Sequence, residues 1–115
     1  MIDRTTLLPR DDDGHAFARA LLHQTGVTGQ APRRDDISAQ IIDGLSAHVS
    51  GQDPGATVDD LIRFVQRTPA SAWRAFMLTS QSALASRYGI QLAMVPDDEI
   101  DAARSLVALA LGKLE

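Results

Sequence analysis

Apolar side chains recur along this chain at steps of three and four, interrupted by clusters of turn-forming residues. The clusters are 11–14 (DDDG), 26–34 (GVTGQAPRR), 51–55 (GQDPG) and the pair Gly89 and Pro96. The spacing predicts a first helix over 14–25, with Phe17, Ala20 and Leu21 on one face. Asp12 or Asp13 would cap it, and Gly26 suits the left-handed position beyond its end. A second helix is predicted over 36–50, where Ile37, Ile41, Leu45 and Val49 form a stripe widened by Ile42. A third starts at Thr57, whose Thr-Val-Asp-Asp run has the form of a capping box, and buries Val58, Leu61, Ile62 and Val65. It stops before Pro69, which lacks an amide proton and disfavours helix at the residue before it.

A fourth helix is predicted over 69–88, with Thr68 as its cap. Trp73, Met77, Leu84 and Tyr88 line one face beside Phe76, and no charge falls between Arg74 and Arg87. A helix uncharged around its girth belongs in a core, so this rod is expected at the centre of the molecule. Residues 90–95 (IQLAMV) read as a short extended segment, paired with 5–8 or crossing the bundle as an apolar connector. A last helix is predicted over 98–113, capped by Asp97, with Ile100, Ala103, Val107 and Leu111 inward. The expected fold is therefore all-α. It is a single domain over 1–115, an irregular bundle of about five helices around a central uncharged helix, with 1–10 as an extended or disordered arm.

Composition agrees with helices. Hydrophobic residues make up 44% of the chain but aromatics only 4%, so the core must rest on aliphatic residues and alanine, the strongest helix former. With no cysteine, disulfides, thiolate metal sites and cysteine nucleophiles are excluded. No apolar run of spanning or signal length is present, which points to a cytoplasmic protein without a membrane partner. Ten of the eleven basic residues are arginine and asparagine is absent, a bias expected of a GC-rich bacterial genome. The net charge of −4 weighs against nucleic acid as a partner.

Candidate chemistry is sparse. The carboxylate runs Asp11–Asp13, Asp35-Asp36, Asp59-Asp60 and Asp97–Glu99 all fall at predicted helix starts. There they accept orphan amide protons and oppose the helix dipole, worth roughly 0.5–2 kcal/mol each, and need no metal to explain them. His15 and His23 flank Arg19 on the polar side of the first helix, an arrangement that repels a cation, and His48 borders the apolar stripe of the second. Neither a Gly-x-Ser-x-Gly elbow nor a phosphate-binding glycine loop occurs. No catalytic residue, metal ligand or cofactor site is expected.

Two function classes remain. The first is a non-catalytic interaction module, binding a protein partner or itself as a homodimer. Leu106 and Leu109 are its predicted contact residues, because the second half of the last helix is apolar on nearly every side. The second, less favoured on charge, is a helix-turn-helix regulator over 58–78 that would use Arg63, Arg67 and Arg74 on nucleic-acid phosphates.

Overall fold

In the computed structural model, which describes residues 2–9, 14–26 and 32–114, the periodic segments form six helices. They are α1 (Gly14–Thr25), α2 (Pro32–Gln52), α3 (Val58–Arg67), α4 (Ala70–Leu78), α5 (Ala83–Ala93) and α6 (Asp97–Gly112). The fold is an all-α bundle, and among the described residues the extended structure amounts to one isolated bridge between Leu7 and Thr57. The proposed caps Asp12 and Asp13 and the side chain of His15 lie outside the described residues. Gly26, with φ of 72°, ends α1 in the left-handed conformation that its sequence position implies.

The centre of the bundle is α2, not the predicted rod over 69–88. Residues 41–49 of α2 are buried without interruption, and the helix packs against all five others. Its stripe of Ile37, Ile41, Ile42, Leu45 and Val49 is in the core as expected, but Ser38, Asp43, Ser46 and His48 are buried as well. Gly44 lets this happen, because a Cβ there would lie 2.4 Å from the Met77 sulfur and 3.1 Å from Tyr88 Cβ. The close approach seats α4 and α5 directly on the α2 backbone.

The predicted fourth helix is two helices, broken at 79–82. Hydroxyl groups there offer the backbone alternatives to the helical ladder. Thr79 Oγ1 donates back to the Ala75 carbonyl at 2.8 Å, and Ser80 Oγ accepts from the Ser82 amide at 3.1 Å. Ser82 Oγ then caps α5 by accepting from the Ala85 amide at 3.2 Å. Residues 90–93 are likewise not extended but complete α5, with Leu92 fully buried one turn beyond Tyr88. Gly89, read as a boundary, lies inside that helix where α4 crosses it. A Cβ at Gly89 would meet the Leu78 amide nitrogen at 2.8 Å.

Other differences are smaller. On α1 it is Ala18 and Leu22 that join Phe17 and Leu21 in the core, while Ala20 faces solvent. The α3 capping box forms as its sequence predicts, with the Thr57 amide donating to the Asp60 carboxylate at 2.8 Å. The arm over 2–9 is pinned to the start of α3. The carbonyls of Arg4 and Thr6 accept from the Asp59 and Val58 amides at 2.9 and 2.8 Å, satisfying donors that a helix start leaves orphaned. On α6, Ile100, Ala103, Val107 and Leu111 face the core as predicted, joined by Ala110 and by Leu114 beyond the helix end.

Candidate functional site

The residues singled out from sequence do not converge on one place. On α6, Leu109 is 52% exposed, whereas Leu106 is half-buried, so the apolar excess of this helix leaves only one leucine fully presented. Of the three arginines proposed for nucleic acid, Arg63 is paired with Asp59 at 2.9 Å, a carboxylate it shares with Arg4. Arg74 is turned into the corner between α5 and α6, where it donates to the Leu92 and Val95 carbonyls and pairs with Asp97 at 2.5 Å. Trp73 beside it is buried, its indole nitrogen donating to the Thr68 carbonyl at 3.0 Å. Arg67 alone of the three stands without an ionic partner among the described residues. The segment that would be a recognition helix is nine residues long and committed to the core through Trp73 and Met77.

The more prominent apolar surface is on α5, and an extended reading of 90–95 conceals it. Ala85, Tyr88, Gly89 and Leu92 point inward, leaving Ile90 and Met94 on the opposite side, 60% and 86% exposed. They are four residues apart and therefore neighbours on one helical face. Leu78, 41% exposed, lies over Gly89 where α4 crosses α5. A period-3.6 reading of 83–94 identifies the face; a period-2 reading hides it.

Two polar groups sit deep in the bundle. Asp43, 1% exposed in the middle of α2, faces Tyr88 on α5 and the Ala18 backbone and Arg19 on α1. Burial pushes its carboxyl up to about 8, against the opposing pull of these neighbours, so the group is held neutral at pH 7. Burial and the nearby Asp43 also raise Tyr88. Asp43 is the one Asp, Glu, Lys or Arg between Asp36 and Asp53, which marks it in the sequence as a carboxylate within the apolar stretch of α2.

His48, expected at the border of the apolar stripe, is buried, and its Nδ1 lies 2.8 Å from Ser80 Oγ. Because that oxygen accepts from the Ser82 amide, its own proton is available to the imidazole. Burial holds His48 below its ordinary value, consistent with a neutral ring in this role. Phe64 and Phe76 close around it, with ring centroids 5.4–5.7 Å apart in all three pairs. The contact ties α2 to the turn between α4 and α5.

Among the described residues no three His, Asp or Glu side chains converge as metal ligands, and no helix is long and apolar enough to cross a membrane. A cleft of about 430 Å³ lies between the α3–α4 corner and α6 and is flanked by Arg67 and Arg104. Comparison with family models, with curated proteins and with solved structures returns no match to this chain.

Proposed function

We propose that this chain is a non-catalytic protein-interaction module, a small cytoplasmic bacterial accessory or adaptor protein that associates with a second copy of itself through an exposed apolar face. The observation that carries the reading is the solvent side of α5, where Ile90 and Met94 stand in water although the helix already buries a full inner face. Covering a large aliphatic side chain contributes roughly 1.5–3 kcal/mol before the costs of association, so these two supply a useful nucleus for a contact. Leu109, with Leu106 half-buried beside it, offers a second and smaller patch on α6.

Sedimentation equilibrium across the soluble concentration range tests the proposal. Wild type should exceed monomer mass, Ile90→Asp/Met94→Asp should return it to monomer, and Leu109→Asp should leave it associated. A wild type that stays monomeric overturns the reading. Association that survives the α5 pair and is lost with Leu109→Asp would place the contact on α6 instead.

A further inference from the structure

We propose that the cleft between the α3–α4 corner and α6 binds a small phosphorylated ligand, with Arg67 and Arg104 holding its oxyanion. The cleft measures about 430 Å³, within the range of roughly 300–1,000 Å³ typical of small-molecule sites. Two arginines from different helices line it, and among the described residues no acidic residue does. Elsewhere in the molecule Arg4, Arg19, Arg33, Arg63 and Arg74 each take a carboxylate partner. Arg67 and Arg104, like Arg34 and Arg87, take none among the described residues, in a chain whose acids outnumber its bases by four, and of these four it is Arg67 and Arg104 that line the cleft. Two like charges facing one concavity repel each other, and a dianion between them reverses the sign of that interaction. Guanidinium forks match phosphate oxygens in bidentate geometry. Gln66 and Thr68 add neutral polar groups on the same wall, and α4, which borders the cleft, has no acid in its first turn to compete. The arginine pair carries the argument, and it is independent of the association proposed for α5.

Trp73 lines the cleft and is the single tryptophan in the chain, so its fluorescence reports on the site directly. Titration with inorganic phosphate and with glycerol phosphate, at ionic strength matched by chloride, should give a saturable change. Affinity should fall about tenfold or more in Arg67→Gln and in Arg104→Gln, each removing a charge-assisted pair. Arg87→Gln, which removes a charge away from the cleft, should leave it unchanged. A phosphate response no different from that of chloride overturns the proposal, as does an affinity unaffected by either cleft variant. A short DNA duplex added in parallel separates the sources: duplex binding without binding of either small phosphate would also overturn it.

Discussion

Asp43 sets the clearest residue-scale expectation, because its carboxyl is neutral in the folded protein and ionised in the unfolded chain over several pH units. Its folded value is raised from 3.8 to about 8, so its favourable contribution is complete below pH 3.8 and is lost as pH rises toward 8. His48 acts in the opposite sense: its folded value is lowered from 6.5, so its contribution is complete above pH 6.5 and lost on acidification. Asp3, Asp59 and Glu99 are lowered from 3.8–4.5 by hydrogen bonds from Thr5, Arg4 and Arg33 and act only in acid. Tyr88 is raised from 10.0 and acts only in stronger base. Between pH 6.5 and 8, Asp43 is thus the one shifted group that titrates among the described residues. Urea unfolding should show stability falling by about 1 kcal/mol per pH unit in that window. Asp43→Asn, which keeps the shape and removes the ionisation, should flatten the slope; an equal slope in the variant would mean that Asp43 is not its source.

At the scale of the element, the α4–α5 crossing depends on the absence of a side chain at Gly89. Gly89→Ala should raise helix propensity yet destabilise by about 1–3 kcal/mol, since the new Cβ would press on the Leu78 backbone. Gly112→Ala, with open space around its Cβ, should instead stabilise by about 0.5–1 kcal/mol in the same thermal or urea assay. Equal effects at the two glycines would contradict this account of the crossing. Ser82→Ala, which removes the cap of α5, should cost about 1 kcal/mol. These sites also explain what the sequence conveyed and what it withheld. Helices α1, α2, α3 and α6 are legible from their apolar stripes, and α3 from its capping box as well, although α2 starts at Pro32 rather than near Asp36 and the N-cap of α6 is Pro96 rather than Asp97. The break at 79–82 is not legible, because serine and threonine between apolar residues read as a small helix face until tertiary contacts engage their hydroxyls. The run at 90–95 misled for a related reason: six mostly apolar residues suit either period, and only the burial of Leu92 against the exposure of Ile90 and Met94 decides between them.

For the whole molecule, surfaces are what packing leaves over, and so they are less legible than the core. The apolar half of α6 buries Val107 and Leu111, as its inner stripe predicts, and Ala110 with them, so that of its apolar residues Ala108 and Leu109 stay outside. Arg74, a phosphate candidate by position, holds the α5–α6 corner, whereas Arg104, on a different helix, lines the same cleft as Arg67. The molecule thus presents an apolar face on α5 and a cationic cleft to which α5 contributes no residue. Changes at sites that share no partners act additively within about 0.5 kcal/mol. Combining Met94→Asp with Arg67→Gln should therefore reduce association as much as Met94→Asp alone and phosphate affinity as much as Arg67→Gln alone. Salt should separate the two in the wild type as well, weakening the charge-based contact at Arg67 and leaving the burial of Ile90 and Met94 largely unaffected. If Arg67→Gln shifted the sedimentation mass, or Met94→Asp shifted the Trp73 titration, the two surfaces would be coupled and a single binding event would have to account for both.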